Sequence, residues 1–384
     1  VGRITQFDAS AFSVQIAGEV KDFELGDWIE PKERRKLDRN VQFALAATRE
    51  AVTDAGLDLA REDAERVGVI LGSCVGGIGM LLEQQRVLEQ RGPTRVSPFF
   101  LPNMIPDAAS GQVAIHFGLK GPNMAVVSAC ATGGHAIGEA AETIRRGDAD
   151  VIIAGGTEAA LVPLVLAGFV IMRALASDND DPPRASRPFD RTRDGFVMSE
   201  GAAILVLEER ERALARGAPI YAEVVGYGSA NDAFHMAAPS EGGEGAARTI
   251  AAALRKSGLP PESVQYINAH GTSTPLNDRF ETKAIKQVFG PHAYRLAVSS
   301  TKSMTGHMMG AAGAFEALVC ALVLRDQVLP PTINYREPDP ECDLDYVPNV
   351  ARKATVEAAL SNAFGLGGHN SCVMLRRYQD GQRG

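Results

Sequence analysis

Cysteine is scarce in this sequence, with five in 384 residues. No two of them stand at C-x-x-C spacing, which excludes a disulfide-built scaffold and the common zinc frameworks and suits a reducing cytoplasm. Basic charge is also in deficit: 39 Lys and Arg against 47 Asp and Glu leave a net charge of −8. That is the wrong sign for a general nucleic-acid binder, and an acidic partner would have to meet a local basic patch. Long apolar runs are missing too. The longest uncharged one lies between Glu158 and Arg173 and is broken by Pro163 and Gly168, short of the roughly 20 residues that a membrane-spanning helix requires. It reads as core, as subunit interface or as the wall of an apolar ligand pocket. No basic-then-apolar leader opens the chain, and its first residue is Val1 rather than Met, which predicts a piece whose start is missing.

What the sequence does have is a 45% apolar content and a repeated alternation of short buried strands with small-residue helices. Val67 to Gly72, Asp150 to Gly156 and Ala203 to Leu207 read as buried strands of the first half; Ile220 to Val225, Val264 to Gly271, Leu296 to Thr301 and Ser371 to Leu375 read as strands of the second. Helices are expected from Lys32 to Ala55 and from Glu208 to Arg216, a surface loop from Asp178 to Asp194, and irregular edge structure over the first thirty residues. Strands alternating with helices in both halves predict an α/β fold of two duplicated halves, with parallel or mixed sheets layered between helices. The halves divide near Gly217-Ala218-Pro219, giving residues 1–217 and 218–384.

In the first half, Val126-Val127-Ser128-Ala129-Cys130-Ala131-Thr132-Gly133-Gly134 brings a strand to a cysteine and then into a helix. Ile137, Ala140, Ala141 and Ile144 form its apolar stripe, and Arg145, Arg146 and Gly147 suit its end. Cys130 thus stands at or just before the positive end of a helix, which favours the nucleophilic thiolate. In the second half, Gly310-Ala311-Ala312-Gly313-Ala314 opens a similar helix. The glycines of Ser73-Cys74-Val75-Gly76-Gly77-Ile78-Gly79 lack the spacing of a phosphate-binding loop and read as close packing beside a pocket.

Of seven histidines, His116, His135, His235, His292 and His369 have no distinctive setting. His270 and His307 stand in glycine-flanked turns at strand exits, where α/β sheets place their ligands. Metal ligation would want a third ligand at close spacing, and cysteine-protease chemistry one histidine with an Asn or Asp. Two imidazoles near a thiolate suit acyl transfer in which an oxygen anion must be held.

Four segments, Ser128-Ala129-Cys130-Ala131-Thr132-Gly133, His270-Gly271-Thr272-Ser273-Thr274-Pro275, Lys302-Ser303-Met304-Thr305-Gly306-His307 and Asn362-Ala363-Phe364-Gly365-Leu366-Gly367-Gly368, resemble in order and spacing the motifs of the elongating β-ketoacyl-acyl carrier protein synthases, most closely the second type. The resemblance covers essentially the whole chain. It implies a thiolase-like fold, a homodimer, a cytoplasmic setting in fatty acid biosynthesis, and decarboxylative condensation of an acyl-enzyme with malonyl-acyl carrier protein without a metal or redox cofactor. It further implies that Cys130 is the acylated nucleophile and that His270 and His307 assist decarboxylation and hold the enolate oxygen. Lys302 and Glu316 would order the histidines, and the Cys130 and Phe364 N–H groups would form an oxyanion hole. Thr272 and Thr274 would contact the pantetheine arm, and Phe364 would gate an acyl pocket near Val75 and Phe169. Leu366 departs from the family, standing where an aromatic is common, and His369 replaces a common threonine.

The basic stretch Lys32, Arg34, Arg35, Lys36 and Arg39, with Arg173, becomes a candidate docking patch for the acidic carrier. A polyketide-type ketosynthase would share all these motifs. A non-catalytic partner subunit would lack the nucleophile. A thiolase or priming synthase would not carry both histidines.

Overall fold

The computed structural model describes residues 1–26 and 28–379. Four strands build a sheet in the first half: Val67–Gly72 (β1), Asn123–Val126 (β2), Val151–Glu158 (β3) and Gly201–Glu208 (β4). Their order is β2-β1-β3-β4, with β4 antiparallel to the others. Five strands build the second sheet: Ala222–Asn231 (β5), Tyr266–Asn268 (β6), Ala297–Ser299 (β7), Ala358–Gly365 (β8) and His369–Arg377 (β9), in the order β5-β9-β8-β6-β7. Here β8 runs parallel to β6 and antiparallel to β9.

Helices Arg39–Asp54 (α1) and Ala108–Phe117 (α2) cover the outer face of the first sheet. Thr132–Arg145 (α3) lies on its inner face. Glu244–Ser257 (α4) and Pro275–Phe289 (α5) cover the outer face of the second sheet, and Ala312–Asp326 (α6) lies beside α3 in the middle layer. Side-chain alternation produces this layering. Along β1 and β3, Ile70 and Ile152 point to the central core, whereas Val69, Leu71, Val151 and Ile153 point to the outer one. Strands buried on both faces read as continuous apolar runs.

The two central helices meet where both are stripped to small residues. A Cβ on Gly133 would stand 2.5 Å from the Ala314 nitrogen, and one on Gly313 would stand 2.6 Å from the Gly134 nitrogen. The approaches to the two helices match as well. Ala129 (φ +49°) opens a 3₁₀ turn into α3, and Met309 (φ +43°) opens the corresponding turn into α6. Gly310 therefore occupies in the second half the place that Cys130 holds in the first.

Several expectations need correction. The helix expected from Lys32 to Ala55 is two: a short Pro31–Arg34 helix, then α1. Asp38 separates them, its carboxylate accepting the backbone N–H groups of Asn40 and Met80, each at 3.0 Å, the preference of an N-cap residue. The 178–194 stretch carries one short helix, Pro182–Ala185, is otherwise irregular, and is not merely surface. Phe189 is fully buried and stacks on Tyr346 with ring centres 4.0 Å apart, and Asp190 accepts the Arg336 and Glu337 N–H groups at 2.6 and 2.7 Å. Strand β5 runs on to Asn231, and β6 is confined to Tyr266–Asn268.

Candidate active site

The chain leaves β2 and makes a tight elbow. The Ser128 N–H donates to Thr132 Oγ1 at 2.8 Å, the Ala131 N–H donates to the Ser128 carbonyl at 3.1 Å, and Ala129 takes a left-handed conformation. This sets Cys130 immediately before α3. The end of β8 rests on the elbow: a Cβ on Gly365 would stand 2.7 Å from the Ser128 carbonyl oxygen and 3.0 Å from the Cys130 nitrogen. Although Cys130 keeps some exposure, burial of its sulfur pushes the thiol up to about 11, against the pull of the Lys302 cation and of the Leu366 N–H. The resting thiolate expected from the helix end is thus overturned, because desolvation outweighs the nearby positive groups. The cysteine is a thiol whose ionised form has partners waiting.

His270 leaves β6 and His307 precedes the 3₁₀ turn into α6; their rings lie edge to face, with centres 5.5 Å apart. Lys302, only 2% exposed, lies beneath them. Its ammonium donates to the His270 carbonyl oxygen at 2.6 Å, reaches His270 Nδ1 at 3.4 Å, and pairs with Glu316. A lysine can only donate, so Nδ1 of His270 accepts and the ring proton lies on Nε2. Burial holds both imidazoles well below the ordinary histidine range, with the Lys302 charge adding to it. Both rings are neutral at pH 7. His307 is 1% exposed, and neither of its ring nitrogens has a partner among the described residues. A buried imidazole with both nitrogens free is costly unless a ligand satisfies it.

The remaining predicted positions fall around this core. Thr272 and Thr274 exchange a hydroxyl hydrogen bond at 2.9 Å in the turn after His270. The Phe364 ring stands 5.6 Å from that of His270. Val75 and Phe169 pack against one apolar cluster, to which Phe196 also belongs. Phe169 meets Phe196 edge on at 5.2 Å, and Phe196 meets His307 at the same distance. An aromatic series thus leads from the apolar wall to the histidines. In the basic stretch, Arg39 is not available to a partner: it forks onto the buried carboxylate of Glu200 at 2.7 and 2.9 Å.

Two buried carboxylates escaped the sequence reading. Glu281 accepts the backbone N–H groups of His270 and Gly271, each at 2.8 Å, and the Asn362 amide at 3.1 Å. Glu158 accepts from Ser73 Oγ at 2.9 Å, the Cys74 N–H at 2.8 Å and the Gly310 N–H at 3.0 Å. Burial raises Glu281 and Glu316 to about 7 and raises Glu158 above its usual range. A signal for Glu281 existed: Asp278, Glu281 and Thr282 share one face of α5, and that face is buried. His135 also had a setting, being hydrogen-bonded to Ser128. Among the described residues no group of His, Cys, Asp and Glu side chains is arranged to hold a metal ion, and no helix is long and apolar enough to cross a membrane.

Residues 4–213 match the β-ketoacyl synthase N-terminal domain and residues 221–336 its C-terminal domain. The chain is 53% identical to 3-oxoacyl-(acyl-carrier-protein) synthase 2 of Synechocystis sp. over 379 residues, covering 99% of this chain and 91% of that protein. It is 52% identical, with the same coverage, to the protein of that name from Staphylococcus aureus. A solved type II PKS acyl-carrier protein in complex with its ketosynthase superposes with a TM-score of 0.89 at 36% identity, over 98% of this chain and 92% of that one. With a thiolase-like architecture, a cysteine elbow and a paired-histidine pocket all in one continuous match, the chain belongs to the β-ketoacyl synthase family.

Proposed function

We propose that the protein elongates fatty acyl chains: Cys130 takes an acyl group from a carrier-protein thioester, and the acyl-enzyme then condenses with malonyl-acyl carrier protein. The observation that carries this reading is the pair of neutral, buried imidazoles, one with both ring nitrogens unengaged, beside the cysteine elbow. In the first step the Cys130 sulfur attacks the thioester carbonyl, its proton leaves with the carrier thiol, and the developing oxyanion is received by the Cys130 N–H together with the Leu366 N–H, which faces the sulfur in the place the resemblance gave to that of Phe364. In the second, malonyl loses carbon dioxide. The enolate oxygen takes hydrogen bonds from the two histidines, His270 through its Nε2–H, and the carbanion carbon attacks the Cys130 thioester to give the β-ketoacyl product and the Cys130 thiolate, which takes a proton from solvent. Neutral rings suit this step, since they donate without surrendering a proton. Lys302 and Glu316 hold His270, Thr272 and Thr274 face the pantetheine arm, and the acyl chain runs past Phe364 toward Val75 and Phe169.

Relatives named 3-oxoacyl-(acyl-carrier-protein) synthase 2 stand at 52–53% identity and the type II PKS ketosynthase at 36%, which supports the fatty-acyl reading over the polyketide one. The presence of Cys130 argues against a non-catalytic partner subunit. The partner would be an acidic acyl carrier protein meeting Lys32, Arg34, Arg35, Lys36 and Arg173. A homodimer is supported by the open edge of β2, where Met124 and Val127 are 44% and 52% exposed. The halves are taken as 1–217 and 218–384, in keeping with one sheet from each. Five free thiols suit the cytoplasm. The test is intact-mass analysis after incubation with a long-chain acyl-carrier protein. An acyl adduct on Cys130, absent from Cys130→Ala, is expected; unmodified wild-type protein would overturn the proposal.

A further inference from the structure

Behind the elbow, on the side of the second sheet, lies a histidine that the reaction above does not use. His135, on α3 and 8% exposed, receives the Ser128 side chain at its Nδ1, 2.7 Å away, while its Nε2 lies 3.1 Å from Ser229 Oγ on β5. Its ring stands edge on to Tyr227, also on β5, with centres 6.2 Å apart. Burial holds the ring down to about 4, so it is neutral, with one donor and one acceptor. We assign its proton to Nε2, which then donates to Ser229, and Nδ1 accepts from the Ser128 hydroxyl.

We propose that His135 is a positioning residue for the nucleophile: through Ser128 it fixes the elbow that carries Cys130, and through Ser229 it ties that elbow to the sheet of the other half. The inference rests on the reading of Cys130 as the acylated residue. A non-glycine residue in the left-handed region, as Ala129 is, persists only where its surroundings hold it. The other bonds of Ser128 close within the elbow itself, to Thr132 and Ala131. Among the described residues, a 3.4 Å hydrogen bond from Ser371 Oγ to the Ala131 carbonyl and the packing of Gly365 against Ser128 and Cys130 join His135 in bracing the turn from the second sheet. Without the imidazole the Cys130 sulfur would lose its fixed line to the attacked carbonyl, and small misplacements of a reacting atom cost roughly a hundredfold in rate.

The experiment compares wild type, His135→Leu and His135→Asn in single-turnover acylation of Cys130 by a long-chain acyl-carrier protein, followed by intact mass and normalised to folded protein. His135→Leu is expected to acylate roughly ten- to a hundredfold more slowly with the half-saturating carrier concentration unchanged. Asn offers Oδ1 where Nδ1 stood, so His135→Asn should regain most of the rate. A His135→Leu protein with a lower melting temperature but wild-type acylation per folded molecule would reduce the residue to a structural role and overturn the proposal, as would an Asn variant as slow as the Leu variant. Absence of any adduct on wild type would instead sink the reading of Cys130. Should His135→Leu fail to fold, Ser128→Ala removes the other end of the same hydrogen bond and should slow acylation equally; wild-type speed there overturns the inference.

Discussion

Glu281 accepts the backbone N–H of His270 at 2.8 Å, and its second oxygen accepts that of Gly271 at the same distance. A carboxylate that is 1% exposed thereby sets the backbone of His270, the proposed enolate-holding histidine, from beneath. Replacing it by leucine strands three buried donors, the His270 and Gly271 N–H groups and the Asn362 amide, each costing about 1–3 kcal/mol. Glu281→Leu should therefore lower stability by about 3–9 kcal/mol and reduce condensation more than acylation. Glu281→Gln keeps one acceptor and should fall between. Urea unfolding and separate assays of the two half-reactions check both.

His307→Ala should still acylate Cys130 but lose malonyl decarboxylation. Its unengaged ring nitrogens make no contact the elbow depends on, whereas an enolate oxygen would be left without one of its donors. Removing such a donor costs roughly a hundred- to a thousandfold. Carbon dioxide release measured from malonyl-carrier protein decides it; an unchanged rate would contradict the role.

Much of this was legible beforehand. The alternation of buried strands with small-residue helices along the chain predicted the layered fold; glycine-flanked turns drew attention to His270 and His307, a strand-to-helix junction drew it to Cys130, and the family resemblance gave each an expected role. What stayed hidden has a physical reason. Asp38 looks like one more charge within a basic helical stretch until its carboxylate is seen to cap α1 and stop the preceding turn. Phe189 and Asp190 sit in a run of Asp, Pro and Arg whose composition says surface, yet backbone N–H groups over 140 residues away draw Asp190 inward. The thiol of Cys130 was expected to be acidic from its helix position alone. Burial, a tertiary property that no local spacing reports, reversed that direction.

That reversal has a pH signature. With the folded thiol near 11 and its ordinary value 9.0, reaction with iodoacetamide should quicken about tenfold per pH unit up to roughly 11 rather than level off near 9. Stability follows the same linkage. Above pH 9 the unfolded chain releases this proton while the folded one keeps it, so Cys130 costs stability as pH rises from 9 toward 11 and contributes nothing below 9. Cys130→Ser should remove that fall, and a plateau of alkylation near pH 9 in wild type would contradict the burial argument.

The Lys302–Glu316 pair is buried at both ends, 2% and 1% exposed. Breaking such a pair from one side leaves an uncompensated group and costs about 3–5 kcal/mol, whereas replacing both partners by apolar residues is often near neutral. Lys302→Met should therefore unfold at markedly lower urea, and Lys302→Met with Glu316→Leu should recover most of that loss. Activity should not return with stability, because no ammonium then fixes the His270 tautomer. A double variant both stable and active would show that the pair serves the fold alone.

The open edge of β2 gives the last expectation. Among the described residues its one strand partner is β1, so its far side is an open strand edge, flanked by exposed Met124 and Val127 and, on the neighbouring α2, by Ile115 at 74% exposure. A bare apolar edge of this kind invites a second strand, and the symmetric solution is the same strand of another copy. Wild type should sediment at twice 40.8 kDa. Met124→Lys with Val127→Lys should drop it to the single mass, because like charges would face each other across the twofold. Its folded core should be left intact by circular dichroism, since both side chains are exposed and neither belongs to a buried core cluster. Acylation by the carrier then separates two possibilities: a monomer that still acylates at full rate would mean each site is complete in one chain, and one that does not would mean the partner edge supports the pocket. A wild-type protein already monomeric at micromolar concentration would remove the dimer from the proposal.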